Sequence, residues 1–221
     1  VDQEAKTDKK ESDNNDVIVI AICTVTGTHG HALVERLAKV NELRQAQGQP
    51  LLQVRGLTRD PSSAKAQALL AAAAYSNVSF VQVDYGSRKS LRRALKGSQG
   101  LYLHCSLAMT GQYHKVYERI IDCAIQVGVR HIVYASHMAC DRHNDHPVPS
   151  QWEEARHTEA YLAIRQDEES AKQSFTYHIL RYPPLLHDHV LQLPHDDSWI
   201  AFAWHPSVRV HTVSAVDGAR V

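Results

Sequence analysis

Apolar runs with the period of a strand alternate with stretches of helical period along most of this chain, and that alternation restricts the fold more than any single motif. The strand-like runs are VIVIAI from Val17, LLQVRGLTR from Leu51, VSFVQVD from Val78, GLYLHCS from Gly100, HIVYAS from His131 and FTYHILR from Phe175. Between them lie helical patterns from about His31 to Gln47 and near Ser63 to Ala74, then SRKSLRRALKG, YHKVYERIIDCAIQVGV and WEEARHTEAYLAIRQDEESAKQ. Buried strands separated by amphipathic helices predict parallel pairing, because parallel neighbours need a helical crossover and that crossover is right-handed. The expectation is an α/β fold with a doubly wound parallel sheet covered on both faces.

Composition bounds what such a sheet does. Residues Val1 to Asp16 mix both signs of charge with almost nothing to bury, as in a disordered polar tail, so the folded domain is expected to start at Val17. Lys plus Arg equals Asp plus Glu at 24 each, which argues against nucleic acid as a partner. The four cysteines, Cys23, Cys105, Cys123 and Cys140, form no C-x-x-C pair and read as reduced thiols of an intracellular protein. No apolar stretch approaches the roughly 20 residues that span a bilayer, so no membrane span is expected. A cytoplasmic location is favoured, with an organelle as the alternative because the chain begins at Val rather than Met.

The break after the first strand carries the chemistry. CTVTGTHG places small residues between a buried strand and a helix, where backbone N–H groups and the positive helix end point at one anion. In a G-x-x-G-x-x-G turn the glycines allow a tight bend, close approach to pyrophosphate and close packing of helix on strand. Gly27 and Gly30 fill the second and third roles, and Thr24 occupies the first. A β-branched residue there is expected to refuse a positive φ and to add bulk beside the pyrophosphate. Thr26 and Thr28 supply hydroxyls and His29 is in range of a ribose or phosphate. A plain strand-to-helix turn without ligand is the alternative.

Where the second strand ends, an acidic side chain suits the 2′-hydroxyl of NAD and an arginine the 2′-phosphate of NADP. The stretch LTRDPSS puts Arg59 there, supported by Thr58 and Ser63, and so favours NADP(H); a surface pairing with Asp60 is the alternative. Asp84 and Tyr85 end the third strand where an adenine is met, and Ser106 ends the fourth facing the same crevice.

Together VRGLTRDPSSAKAQAL, VSFVQVDYGSRKSLRRALKGSQGLYL, IIDCAIQVGVRHIVYAS and YHILRYPPLLHD resemble the NmrA-like family of atypical short-chain dehydrogenase/reductases, from Val17 to about Asp188. The resemblance implies a Rossmann-type domain over residues 17–221 that binds NADP(H) through the stretch from Thr24 to Gly30, Arg59, and Asp84 with Tyr85, with further contacts from Tyr182 to Leu186. Some members are regulators that respond to NADP(H); others reduce quinones or isoflavone-type substrates. Matching Trp152 and Tyr161 to the family's α-helical pattern puts Gln151 and Ala155 where related reductases carry a catalytic Tyr and Lys. Neither does that proton chemistry. Tyr161 with Arg165 has the right spacing, but arginine stays protonated and cannot relay as lysine does, so Tyr161 is expected to face the core and no catalytic residue is assigned. From Gly27 to Arg59 is 32 positions, against about 20 in the usual spacing, so the first helix is extended or carries a loop. A stretch around Asp217 resembles the family's late strand and helix start, but the region that would cover a substrate is short from about residue 182 onward.

Fifteen histidines are many, and CDRHNDHPVP gathers Cys140, Asp141, His143, Asp145 and His146. That spacing fits no zinc pattern, and a polar loop with solvated side chains is the expectation, with no metal assigned. His187, His189 and His195 are read as loop residues. The function expected is a redox-sensing or subunit-type NADP(H)-binding protein, with a partner protein or larger assembly open. The alternatives are an NADPH-dependent quinone-type oxidoreductase and a scaffold that has lost its cofactor.

Overall fold

The computed structural model describes residues 17–71, 77–104, 113–137, 150–170 and 174–182. Strand and helix alternate throughout: β1 (Val17–Cys23), α1 (Thr28–Ala46), β2 (Leu51–Thr58), α2 (Ala64–Ala71), β3 (Val78–Gln82), α3 (Arg88–Leu95), β4 (Gly100–Leu103), α4 (Tyr113–Gln126), β5 (His131–His137), α5 (Ser150–Glu169) and β6 (Thr176–Tyr182). The sheet has six strands in the order β3-β2-β1-β4-β5-β6, with every recorded pairing parallel. The chain therefore winds outward one way from β1 to β3 and the other way from β4 to β6. That reversal is the Rossmann-type arrangement, with the switch point between β1 and β4.

Each strand divides its side chains by parity. Ala21, Cys23, Leu101, Leu103, Ile132 and Tyr134 face one layer, where they pack with α3, α4 and α5 around Leu91, Ile120, Ile121 and Leu162. Ile22, Val54, Tyr102 and Ala135 face the other, beneath α1 with Val34 and α2 with Leu69. Beyond the cover of α1, that second face holds an apolar trough of about 320 Å³ lined by Ile18, Ile20, Leu33, Leu37, Val133 and Leu180.

The extra length before β2 is helix rather than loop. Asn41 fixes it to the next strand by mimicking a backbone: its Nδ2 donates to the Leu52 carbonyl and its Oδ1 accepts from the Leu52 N–H, both at 2.8 Å. Gly48, at φ +65°, then turns the chain into β2. Several boundaries differ from the sequence expectation. Helix α1 starts at Thr28 rather than His31, β3 stops at Gln82, β4 stops at Leu103, and α5 runs from Ser150 to Glu169. The tail 1–16, the end of the second helical pattern, the histidine loop and everything after Tyr182 lie outside the described residues.

One charged knot crosses the buried layer between sheet and α5. Glu159 is buried; its Oε1 accepts from Ser136 Oγ at 2.5 Å and Arg181 Nε at 3.1 Å, and its Oε2 from Arg181 Nη2 at 2.7 Å. One carboxylate thus ties β5, β6 and α5 together. Removing its charge leaves the guanidinium and hydroxyl with poorer acceptors, so Glu159→Gln is expected to lower the unfolding free energy by about 2 kcal/mol. A lower urea midpoint at unchanged slope is the readout.

Candidate functional site

The turn after β1 adopts the glycine geometry without the glycine. Thr24 sits in the left-handed region at φ +49°, contrary to the expectation that a β-branched residue refuses it. Its neighbours account for this. The Thr24 N–H donates to Tyr85 Oη at 3.2 Å, its carbonyl accepts from Gly27 N–H at 2.9 Å, and its Oγ1 donates to the His104 carbonyl at 3.1 Å. These bonds offset the roughly 1–2 kcal/mol that a side chain costs in that conformation.

Past the turn, a Cβ on Gly30 would lie 2.5 Å from the Val25 backbone, so only glycine lets α1 come this close to β1. Gly27 caps α1 in an extended conformation with no side-chain cap bond, and the first turn of the helix carries no acidic residue. The first amides of a 19-residue helix therefore face the crevice uncompensated by any carboxylate of that turn. A pyrophosphate fits this cradle.

At the carboxyl end of β2, Arg59 is exposed, and no hydrogen bond or ion pair joins its side chain to another described residue. Asp60 is not its partner. The Asp60 Oδ1 accepts from Ser62 Oγ at 2.6 Å and Ser62 N–H at 2.9 Å, and those bonds hold the carboxyl below its ordinary range. Thr58 and Ser63, expected beside Arg59, are spent on the same turn: Ser63 Oγ donates to the Asp60 carbonyl at 2.9 Å. Past β3, Asp84 is exposed and its Oδ1 accepts from Gly86 N–H at 2.8 Å. Tyr85 is buried; its hydroxyl both supports Thr24 and donates to the Leu57 carbonyl at 3.4 Å. Thr26 is half-buried and Thr28 exposed at the start of α1, and Ser106 lies outside the described residues.

His29 turns under α1 toward the sheet. Its ring stacks on His104 with centroids 4.3 Å apart, its Nδ1 lies 3.3 Å from Tyr102 Oη, and Tyr182 meets it edge-on at 5.3 Å. Burial, then the neighbouring His29 and His137, push the His104 imidazole down to about 3, so it is neutral at ordinary pH. Burial lowers His137 as well, against the opposing pull of Glu159. Burial pushes Tyr102 above its ordinary value, and does the same to Tyr182 despite a hydrogen bond from Tyr102. The sequence reading found His29 but missed Tyr102, His104, His137 and Tyr182. Their parity was readable; which of them stand level with one another was not.

The positions matched to a catalytic Tyr and Lys carry no such groups, and Ala155 is buried. Tyr161 Oη donates to Asp122 Oδ1 at 2.7 Å and Arg165 pairs with the same carboxylate at 3.5 Å, so both belong to the α4–α5 contact. Among the described residues no three His, Cys, Asp or Glu side chains are grouped to hold a metal, and no helix is long and apolar enough to cross a membrane.

Two outcomes test this geometry. Thr24→Ala keeps the left-handed cost and loses the Oγ1 bond, whereas Thr24→Gly loses the bond and the cost together. The glycine variant is expected to be about 1 kcal/mol the more stable of the two by urea denaturation. His104 binds its proton far more readily unfolded than folded, so stability should fall as pH drops from about 6.5 toward about 3. His104→Leu should flatten that decline in denaturation curves taken across the same window.

The fold finds counterparts among known proteins. The family model for the NmrA-like family matches residues 17–194. Quinone oxidoreductase 2 of Escherichia coli (strain K12) is 34% identical over 123 residues, 56% of this chain and 38% of that protein. An NmrA-like family domain-containing oxidoreductase of Penicillium ochrochloron is 29% identical over 129 residues, 55% of this chain and 35% of that protein. The crystal structure of the Escherichia coli NADPH-dependent quinone oxidoreductase complexed with NADPH aligns with a TM-score of 0.57 at 28% identity, covering 78% of this chain and 52% of that one. NmrA, a negative transcriptional regulator in complex with NADP, shares the fold with a TM-score of 0.60 at 17% identity, over 77% of this chain and 46% of that one. The matches thus span about half or less of the relatives' own lengths. With the family model covering most of the chain, from the first strand past the sixth, this protein belongs to the NmrA-like family.

Proposed function

We propose that the chain binds NADP(H) across the carboxyl ends of its strands and acts as a redox-sensing or subunit-type member of the family. The observation that carries this reading is Arg59, an exposed guanidinium without a described partner, on the loop next to a helix start that has neither a side-chain cap bond nor an acidic residue in its first turn. In this assignment the backbone from Thr26 through Thr28 and His29 to Gly30 receives the pyrophosphate and Arg59 the 2′-phosphate. Asp84 and Tyr85 border the adenine, with Tyr85 also bracing Thr24 from below. Ser106 is assigned to the floor of the crevice from the sequence alone. Lack of the Tyr and Lys pair favours sensing over carbonyl chemistry of the usual kind.

A second reading, NADPH-dependent reduction of a quinone-type acceptor, is favoured by the relative named quinone oxidoreductase 2, which is 34% identical over the matched region. A scaffold without cofactor is the weaker alternative, since the Thr24 side chain is hydrogen-bonded to the His104 carbonyl.

Isothermal titration of the full chain with NADPH and NADH tests the assignment. The wild type should prefer NADPH, and Arg59→Ala should weaken NADPH about 10- to 100-fold, as for loss of a charge-assisted hydrogen bond, while leaving NADH unchanged. Equal loss for both nucleotides overturns the role of Arg59. Absence of binding by the wild type overturns the cofactor reading.

A further inference from the structure

Among the described residues, Thr24 alone combines a side chain with a left-handed backbone. A strained residue of this kind persists only where its surroundings over-determine it. Here one of the restraints is a phenol that arrives from the far side of β2. Tyr85 Oη donates its hydrogen to the Leu57 carbonyl at 3.4 Å and accepts the Thr24 N–H at 3.2 Å. The Thr24 carbonyl in turn accepts from the Gly27 N–H at 2.9 Å, and Gly27 is the cap of α1. Two hydrogen bonds therefore connect the phenol, through Thr24, to the residue from which the first amides of α1 are hung.

Tyr85 is a fixed point for that connection. It is 4% exposed and belongs to the same buried cluster as Cys23 and Leu57. The loop that carries it is bonded on both sides: Val83 N–H donates to the Thr58 carbonyl at 2.9 Å, Asp84 N–H to Ser90 Oγ at 3.0 Å, and Gly86 N–H to Asp84 Oδ1 at 2.8 Å. Arg119 of α4 donates from Nη1 to the Tyr85 carbonyl at 3.0 Å. A glycine at position 24 would need no such partner, because it enters the left-handed region without steric cost.

We propose that Tyr85 is a positioning residue for the dinucleotide: its hydroxyl keeps Thr24 left-handed and so holds the turn and the start of α1 in the shape that receives pyrophosphate. The role rests on the cofactor reading above. In that reading one loop serves two parts of the ligand, with Asp84 bordering the adenine and the Tyr85 hydroxyl supporting the turn under the phosphates. Tyr85→Phe keeps the ring and deletes the oxygen. The Thr24 N–H then loses its acceptor, and leaving the left-handed region relieves that loss and the steric cost together. Binding has to restore the turn, so apparent affinity falls with the fraction of molecules that retain it.

The test uses the full chain and isothermal titration with NADPH and with adenosine 2′-phosphate, which carries the adenine and the 2′-phosphate but no pyrophosphate. Tyr85→Phe should weaken NADPH about 10-fold and leave adenosine 2′-phosphate within about twofold of wild type. Made in a Thr24→Gly background, the same substitution should change NADPH affinity by less than about twofold, since glycine holds the turn unaided. Without nucleotide, hydrogen exchange at the Gly27 amide should quicken from wild type to Tyr85→Phe, and much less from Thr24→Gly to the double variant. Equal losses for both ligands, a loss that survives Thr24→Gly, or unchanged NADPH affinity each overturn the positioning role alone. Where Tyr85→Phe by itself fails to fold, the double variant decides: folded protein with the NADPH affinity of Thr24→Gly supports the role, and unfolded protein overturns it. Wild-type protein that does not bind NADPH overturns the cofactor reading, and the role of Tyr85 with it.

Discussion

The site depends on one contact that leaves room for a hydrogen atom and nothing more. At Gly30 the first helix lies against the Val25 backbone so closely that a methyl group would overlap it at 2.5 Å. Close-packed interiors do not absorb such an overlap without moving whole elements. That approach places the helix start over the end of β1, brings His29 down to the level of β4, and fixes where the turn from Thr24 must run. Widening this contact would displace the first amides of α1 and the His29 imidazole together, because both hang from the first turn of one helix.

The two faces of the sheet divide the labour. Toward α3, α4 and α5 several polar groups are paired: Glu159 with Arg181 and Ser136, Asp122 with Tyr161, Arg165 and Arg88. Toward α1 the layer carries the apolar trough, and His29, Tyr102 and Tyr182 form part of its wall. Burial on that face is what shifts the protonation of Tyr102, Tyr182 and His104.

Periodicity made the sheet legible, since strands buried on both faces read as continuous apolar runs and the helices as amphipathic ones. It overran the end of β3 because the chain stays extended there: the Val83 N–H still reaches the Thr58 carbonyl at 2.9 Å after the strand ends. The start of α1 was missed because Gly27 caps it without a side chain that would mark the spot. The steric rule misjudged Thr24 because its hydrogen-bond partners, Tyr85 and His104, are far away in sequence. The close approach of helix and strand at Gly30 was readable from local order alone. The cluster around His29 was not, since register between distant strands decides which side chains share a level.

Arg181 and Tyr182 are consecutive on β6 and so project to opposite sides of the sheet. The guanidinium is anchored to Glu159 on α5, whereas the phenol reaches under α1. Adjacent side chains of this one strand thus serve opposite layers, so the backbone that seats α5 through the carboxylate is the same backbone that holds an aromatic edge against His29.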